Sequence, residues 1–226
     1  MFLVFNLANE KMERTKKHKR LNICLDLDQT LIWAGTNKEY MPHKYPEIKK
    51  KAAGKPFGKN NITNMDNLYT IFERPGLQEF LDFLFDNFNV SVWTAASKDY
   101  ALFVIKNIIY KKNKESRKLD WIFFSYHCDI SKCTKKGTKD LSLLWDDYKL
   151  DGFSKNNTFI IDDYDEVYET QRKNCIAISP FNFTDEGSEH DSHLKNLRLQ
   201  LDFMLYQNKK GVPYTVVDIN KALKVV

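Results

Sequence analysis

Short apolar runs alternate along the chain with segments whose apolar residues recur every three or four positions. The short runs predict strands at 21–27, 89–93, 120–125, 157–162 and 174–179. The amphipathic segments predict helices over 76–88, 97–112, 139–148, 164–171 and 191–208. This alternation is typical of an α/β protein. We therefore predict a Rossmann-like three-layer sandwich, in which helices cover both faces of a central parallel sheet of about five strands.

Two segments depart from this alternation. Residues 35–67 are rich in Lys, Asn, Gly and Pro and have no sustained period, so we predict a small flap insertion over the strand tips. The run LYTIFE at 68–73 could pair with 31–34 as a hairpin beside it. Near the C-terminus, PYTVV followed by DINKAL predicts a short strand and a helix, with Asp218 as a plausible cap.

Composition favours one large folded domain. The chain has 226 residues, of which 42% are hydrophobic and 16 are phenylalanine, and this is enough apolar material for a substantial core. We expect a basic N-terminal segment at 1–20, a main domain at 21–208 that carries the flap, and a C-terminal extension at 209–226 packed on the domain.

Charge and cysteine use indicate the setting of the protein. The formal net charge is only +5, but lysines and arginines cluster within 11–20 and 44–59. A solvated surface is the simplest interpretation of these clusters, and attraction of an acidic partner or nucleic acid is the alternative. The cysteines lack paired C-x-x-C spacing, and Cys24 and Cys175 lie in predicted strands, so we expect core residues in a reduced, intracellular setting, nuclear or cytoplasmic. No segment has the length of a membrane span, so no membrane association is expected.

The first predicted strand ends in an acidic pair. Within LNICLDLDQTL at 21–31, Asp26 and Asp28 are two positions apart and Thr30 follows. Strand residues two apart share a face, and like charges this close disfavour joint ionisation. A bound cation or a shared proton would resolve the conflict, which makes the pair a candidate for a metal site or for phosphoryl transfer. A lone D-x-D can equally be turn residues after a strand.

Hydroxyl and backbone groups follow the second strand of the predicted parallel sheet. The run Thr94–Ala95–Ala96–Ser97 comes directly after strand 89–93, where a helix is predicted to begin. Free backbone N–H groups at a helix start bind anions, so this turn is a candidate phosphate site. The alternative is an ordinary helix start, in which Ser97 is the cap and Thr94 has no role.

Two further strand ends carry charged residues. Lys139 lies in the first turn of a predicted helix, where a cation opposes the helix dipole, and this suggests either an indifferent surface position or an oxyanion partner. Asp162 and Asp163 end strand 157–162 and could complete an oxygen-rich Mg²⁺ site. Acidic residues also cap helices, and Asp165 and Glu166 could fill that role. Each signal is weak alone, but carboxyl ends of parallel strands meet at one edge of a sheet.

Together these segments resemble the haloacid dehalogenase superfamily, and within it the RNA polymerase II carboxy-terminal-domain phosphatase-like branch, which includes NLI-interacting-factor-like and Dullard-like proteins. The resemblance covers roughly residues 20–207 and rests on LDLDQTL (25–31), ERPGLQEFL (73–81), WTAASKDYA (93–101), TKDLSLL (138–144) and FIIDDYDEVY (159–168). The RPG and KDLS segments are narrower signals than D-x-D-x-T. One departure is Asp162-Asp163-Tyr164-Asp165, where the branch commonly has Asp-Asn-Ser-Pro.

The resemblance implies a Mg²⁺-dependent protein serine/threonine phosphatase acting on a polymerase-tail-like phosphopeptide. It implies that Asp26 is the nucleophile that forms an aspartyl-phosphate and that Asp28 acts as acid and then as base. The remaining implied roles are phosphate binding by Thr94, Ala95 and Lys139 and support of the loop by Thr30. Mg²⁺ binding is implied for the Asp26 carboxylate, the Asp28 backbone carbonyl and Asp163, with Asp162 either beside these ligands or a direct ligand itself.

Two alternatives to this function stay open. The first is a polynucleotide 3′-phosphatase or small-molecule phosphatase of the same superfamily, because D-x-D-x-T is shared and basic loops could follow a polynucleotide backbone. Direct nucleic-acid binding is not favoured, and the insertion at 35–67 is too polar and too short of core residues for a cap domain. The second is a binding module that keeps the fold without turnover, which the presence of every catalytic residue type argues against.

Overall fold

The computed structural model describes residues 20–36, 57, 61–66, 68–111, 114 and 116–225. The strands within these residues are β1 (Asn22–Leu25), β2 (Ile32–Thr36), β3 (Ile62–Met65), β4 (Tyr69–Glu73), β5 (Asn89–Trp93), β6 (Ile122–Phe123), β7 (Thr158–Asp162) and β8 (Cys175–Ala177). The helices are α1 (Leu77–Asn87), α2 (Lys98–Val104), α3 (Ser125–Thr134), α4 (Asp165–Thr170), α5 (His193–Lys209) and α6 (Val216–Leu223). π-Helical turns lie at Ile105–Ile109 and Leu143–Asp147, and a 3₁₀ turn lies at Ser188–His190.

The larger sheet has the strand order β6-β5-β1-β7-β8, and each neighbouring pair is parallel. The central strand β1 is fully buried, and its side chains alternate between two cores as strand geometry requires. Ile23 and Leu25 pack in the core that includes residues of α1, α2, α5 and α6. Cys24 packs in the core that includes residues of α3, α4 and the turn Leu143–Asp147. Helices therefore cover both faces of the sheet, and the predicted three-layer α/β fold is confirmed.

The three-stranded sheet β2-β4-β3 confirms the predicted hairpin and corrects the flap. β2 pairs antiparallel with β4, Ile32 opposite Glu73. β3 lies inside the segment predicted to be irregular and also pairs with β4. Phe57 is completely buried with Phe72, Phe181 and Phe183, so these aromatic rings anchor the insertion to the main domain. Positions 37–56, 58–60 and 67 of the predicted flap lie outside the described residues.

Several predicted elements differ from the structure. The strand predicted at 120–125 is only Ile122–Phe123, and α3, which begins at Ser125, was missed because only Cys128 and Ser131 on this helix are buried. The helix predicted over 139–148 is wrong at its start, since only the π-helical turn at 143–147 and Ser142 are helical. The helix predicted over 97–112 is α2, continued by a π-helical turn as far as Ile109.

The C-terminal strand predicted at PYTVV is wrong, because Val216 already begins α6. Thr215 is the helix cap, and Asp218 accepts its backbone N–H at 2.8 Å from the third helical position, an arrangement known as a capping box. Val216 and Ile219 are buried in the main core. The domain boundary at 208/209 stays a prediction, although α6 packs on α5 and β8.

The N-terminal basic cluster within 11–20 lies almost entirely outside the described residues. Among the residues that are described, no helix is both long enough and apolar enough to cross a membrane.

Asn220 supplies a test of how α6 stabilises the edge strand β8. Its side-chain amide donates to the Cys175 carbonyl at 2.9 Å and accepts from the Ala177 N–H at 3.0 Å. The substitution Asn220→Ala leaves both buried backbone groups unpaired, so we expect the free energy of unfolding to fall by about 2–4 kcal/mol. Urea denaturation measures this loss. Lys221→Ala, at an exposed position of the same helix, is the control, and equal stability of the two variants would contradict the prediction.

Candidate active site

Three carboxylates meet at the carboxyl edge of the parallel sheet. Leu25 of β1 lies opposite Ile161 of β7, so the next residues, Asp26 and Asp162, are brought side by side. Asp163 follows, and ligand oxygens of these three aspartates all lie within 4.8 Å of one another. Asp26 and Asp162 are buried and Asp163 is half-buried. The structure thus brings together three of the acidic residues that the sequence placed at separate strand ends.

Lys139 lies between two of these carboxylates. Its ammonium donates to Asp26 Oδ1 at 2.5 Å and to Asp162 Oδ2 at 2.7 Å, and its side chain is only 4% exposed. Burial alone would lower the pKa of Lys139, but the charges of Asp26 and Asp162 outweigh it and raise the pKa. Lys139 therefore remains a cation and stabilises the ionised form of its partners.

Lys139 lies in the loop after α3, and three side chains from outside this loop hold its backbone. Ser131 of α3 donates to the Gly137 carbonyl at 2.6 Å. Glu166 accepts from the backbone N–H and the hydroxyl of Thr138 at 3.0 and 2.9 Å. Gln171 donates to the Lys139 carbonyl at 2.7 Å. The helix-capping alternative for Glu166 is therefore wrong, because this side chain positions the lysine loop instead.

Asp28 points to a different partner from the other carboxylates. Its Oδ1 accepts a hydrogen bond from the Tyr100 hydroxyl at 2.6 Å, and Tyr100 packs edge-to-face on Tyr69 of the hairpin, with ring centroids 5.4 Å apart. Burial raises the pKa of Asp28 to about 6, although the Tyr100 hydrogen bond acts in the opposite direction. A carboxyl group with such a pKa can exchange protons near neutral pH, as an acid and base catalyst must.

Thr30 forms a hydrogen bond with Asp163, the second residue of the acidic pair at the end of β7. Its buried hydroxyl donates to Asp163 Oδ1 at 2.8 Å, and this hydrogen bond connects the loop after β1 to the loop after β7. Burial and the neighbouring Asp26 charge raise the pKa of Asp163, against the effect of the Thr30 hydrogen bond. Negative charge therefore accumulates at this edge beyond what Lys139 offsets, and a divalent cation would relieve it.

The turn after β5 caps the next helix, and its role in phosphate binding stays a prediction. Ser97 is the cap of α2 and accepts from the Tyr100 N–H at 3.5 Å. The buried Thr94 hydroxyl accepts from the Ala96 N–H at 3.1 Å, and Ala95 is exposed at the tip of the turn. Leu25 pairs with Val92, so Thr94 lies close to Asp26 at the edge of the sheet. The capping of α2 by Ser97 thus does not make Thr94 idle, because Thr94 shapes the turn.

Comparison with known proteins identifies the family. The family model described as NLI interacting factor-like phosphatase matches residues 21–212. The chain belongs to this phosphatase family. Protein 355R of Invertebrate iridescent virus 6, itself named for its likeness to CTD phosphatases, is 46% identical over 180 residues, which cover 78% of this chain and 94% of that protein. The corresponding protein of Invertebrate iridescent virus 3 is 40% identical over 191 residues, with coverages of 83% and 98%.

A solved structure shares the fold of this phosphatase. The structure of Fcp1, described as an essential RNA polymerase II CTD phosphatase, aligns with a TM-score of 0.56 and 17% identity, covering 97% of this chain and 73% of that chain. At this identity the alignment supports the fold alone. With the family match, it confirms the resemblance to haloacid dehalogenase-type phosphatases, and the chain is an enzyme of that class.

Arg74 is completely buried in this phosphatase, and no role was predicted for it from the sequence. Its guanidinium donates to both carboxylate oxygens of Asp191, at 3.0 and 2.9 Å, and to the Thr30 carbonyl at 3.0 Å. The chain turns sharply after Arg74, and Gly76 has a φ of +79°, which a side chain would disfavour. Arg74 therefore connects the hairpin sheet, the loop after β1 and the segment before α5.

The roles of Arg74 and Tyr100 could not be read from the sequence. Both residues lie within segments that carried the family resemblance, but their partners Asp191 and Asp28 are far away along the chain. An arginine is rarely buried without a partner, so knowing that Arg74 is buried would have indicated that it has one. The periodic spacing of apolar residues does not show whether a single charged residue is buried.

Arg74→Met tests the contribution of this buried ion pair to stability. The variant leaves the Asp191 carboxylate, 11% exposed, without its partner, so we expect the free energy of unfolding to fall by about 3–5 kcal/mol. Urea denaturation measures the loss, and adding Asp191→Asn should recover part of it. The control is Arg172→Met, which removes an ion pair with Glu169 between two exposed side chains. An equally small effect of both single substitutions would contradict the prediction.

Proposed function

We propose that this phosphatase is a Mg²⁺-dependent protein serine/threonine phosphatase that works through an aspartyl-phosphate on Asp26. The observation that carries the proposal is the environment of Asp26, whose side chain is 8% exposed, hydrogen-bonded to the Lys139 ammonium and close to two further carboxylates. A nucleophilic carboxylate must be ionised when a phosphate dianion approaches, and a fixed cation beside it favours that state.

The proposed reaction has two displacement steps. In the first, an Asp26 oxygen forms a bond to phosphorus while the bond from phosphorus to the serine or threonine oxygen breaks. Asp28 gives its proton to that leaving oxygen. In the second, Asp28 accepts a proton from water as the water oxygen attacks phosphorus, and the bond to Asp26 breaks. Inorganic phosphate leaves, and Asp26 and Asp28 return to their starting protonation states.

The donor set of the site fits Mg²⁺. This cation binds carboxylate and carbonyl oxygens in preference to nitrogen or sulfur, and the clustered groups here are carboxylates whose oxygens lie within 4.8 Å of one another. We propose Asp26, Asp163 and the Asp28 carbonyl as its ligands, with Asp162 held beside them by Lys139. Bound Mg²⁺ would neutralise part of the phosphoryl charge. Lys139 supplies a further positive charge beside Asp26, and we propose Thr94 and Ala95 as the other phosphate-binding residues.

A phosphorylated protein is the substrate class that the chain best supports. The two viral relatives are named for their likeness to CTD phosphatases, so we propose a polymerase-tail-like phosphopeptide. Within the described residues, the insertion contributes β3 to the three-stranded sheet, and its Phe57 packs with Phe72 and with Phe181 and Phe183 of the main domain. We propose that an extended peptide binds at the strand ends, next to the carboxylate cluster.

Metal-dependent turnover of a substrate panel tests the proposed function. The panel holds phosphoserine and phosphothreonine peptides, p-nitrophenyl phosphate and a 3′-phosphorylated oligonucleotide, each with Mg²⁺ and with chelator. We expect hydrolysis of the peptides that requires Mg²⁺. Faster hydrolysis of the oligonucleotide than of any peptide would favour the polynucleotide phosphatase instead.

Asp26→Asn tests the covalent step. The amide is nearly isosteric but cannot act as the nucleophile, so we expect turnover of every substrate to fall by at least about 10³-fold with little change in the unfolding temperature. Trapping with beryllofluoride and Mg²⁺ should also fail in this variant. Asp202→Asn, which removes an exposed carboxylate of α5, is the matched control. Near-normal turnover by Asp26→Asn would refute the assigned nucleophile.

Tyr100→Phe tests the role of Asp28 as proton donor. The variant loses the 2.6 Å hydrogen bond that orients the Asp28 carboxyl, and proton donation matters most when the leaving group is a poor one. We expect kcat for a phosphoserine peptide to fall by about 10-fold and kcat for p-nitrophenyl phosphate by only about 2-fold.

Tyr69→Phe is the matched control for this variant, because it keeps the ring that packs on Tyr100. An equal loss for both leaving groups in Tyr100→Phe would indicate a general structural defect and contradict the positioning role.

A further inference from the structure

A groove of about 440 Å³ opens directly beside the three-carboxylate cluster. Asp162 and Asp163 line it, together with Gln29 from the loop after β1. Asp163 therefore belongs both to the groove and to the cluster whose oxygens lie within 4.8 Å. The groove therefore lies next to the position at which a phosphorylated side chain would bind Asp26, close enough for residues that flank it in the substrate to reach the groove.

Backbone hydrogen bonds fix the walls of the groove. The Phe181 N–H donates to the Gln29 carbonyl at 2.6 Å, and the Ile178 N–H donates to the Asp162 carbonyl at 3.1 Å. These bonds join the loops after β1, β7 and β8 in one arrangement. The groove is thus preformed, so binding within it would not require loops to be ordered.

Aromatic and apolar side chains also line the groove. They include Tyr164 and Tyr168 from the start and the body of α4, and Ile178 and Pro180 from the segment after β8. The Tyr164 ring is 55% exposed, which leaves a large aromatic surface accessible. Tyr168 already has a guanidinium over its ring, that of Arg172 at 5.5 Å, and aromatic faces of this kind attract cations.

The charged side chains that line the groove are all acidic: Asp162, Asp163 and Asp165. Lys139 offsets the charge of Asp162 from inside the protein, whereas Asp165 is exposed at the start of α4. Carboxylates beside an aromatic face attract a cationic side chain and repel phosphate groups. A polynucleotide backbone is therefore a poor occupant, and a basic peptide side chain is a good one.

We propose that this groove binds a lysine or arginine side chain that lies close in sequence to the phosphorylated residue of the substrate. The inference rests on the proposed function, because it assumes a phosphopeptide bound at Asp26. Asp165 supplies the carboxylate and Tyr164 the aromatic face for the basic group. The groove thereby selects among phosphopeptides by the charge of a flanking residue, and both of these side chains are specificity-determining residues.

Paired phosphopeptides test this selection. Arginine is compared with citrulline, its neutral isostere, at each position within about three residues of a phosphoserine in an otherwise constant peptide. At one or more positions we expect kcat/KM to be about 3- to 10-fold higher for arginine, as one exposed cation–π contact and one exposed ion pair would give. A ratio of one or less at every position would overturn the proposal.

Variants of the groove locate the origin of that ratio. Asp165→Asn and Tyr164→Leu should each lower the arginine-to-citrulline ratio toward one, whereas Asp202→Asn, a loss of equal charge on α5, should not. If Asp165→Asn and Tyr164→Leu both leave the ratio unchanged, or if Asp202→Asn lowers it as much, the groove is not the binding site and the proposal fails.

p-Nitrophenyl phosphate, which has no flanking residue, separates the two proposals. If p-nitrophenyl phosphate and all peptides are hydrolysed without any arginine preference, the proposed binding of a basic side chain in the groove is wrong. The proposed phosphatase function is then unaffected. Loss of peptide turnover altogether, with the oligonucleotide hydrolysed instead, overturns both.

Discussion

The site of this phosphatase depends on one ammonium group that lies between two buried carboxylates. Parallel pairing of β1 with β7 places Asp26 beside Asp162, and two buried like charges at this separation would repel each other and lose their hydration. Lys139 offsets part of both costs by donating to each carboxylate. The hydrogen bonds from Ser131, Glu166 and Gln171 hold the loop that carries Lys139. A lysine on a mobile loop could not keep its ammonium group between the two carboxylates.

The loop between β1 and β2 is held from three sides. Gln29 adopts a left-handed conformation with a φ of 62°, which costs about 1–2 kcal/mol for a residue with a side chain. Hydrogen bonds offset this strain, since the Phe181 N–H reaches the Gln29 carbonyl and Arg74 reaches the Thr30 carbonyl. Thr30 adds a hydrogen bond to Asp163. The candidate nucleophile and acid thus lie on a loop whose geometry the rest of the domain imposes.

Much of the fold could be predicted from the sequence, because the spacing of apolar residues indicates helices and strands and polar residues mark the ends of strands. The strand 89–93 was predicted with its observed bounds, and Asp26, Asp162 and Asp163 were placed at strand ends that do converge. Their chemical roles stay predictions, since position alone does not show reactivity. Two kinds of feature could not be predicted from the spacing of apolar residues along the sequence. Weakly apolar elements such as α3 gave no period, and long-range partners such as Arg74 and Asp191 are set only by the complete fold.

The central place of β1 has a consequence for how the protein is made. Asn22 pairs with Asn89 on one side and with Thr158 on the other, so β1 is synthesised long before β7, which covers its second edge. Until then a growing chain exposes an apolar, unpaired strand edge, which is a hazard for association with other chains. The same delay means that Asp26 meets Lys139 and Asp162 only when most of the domain has been synthesised, and no shorter nascent chain contains the assembled centre.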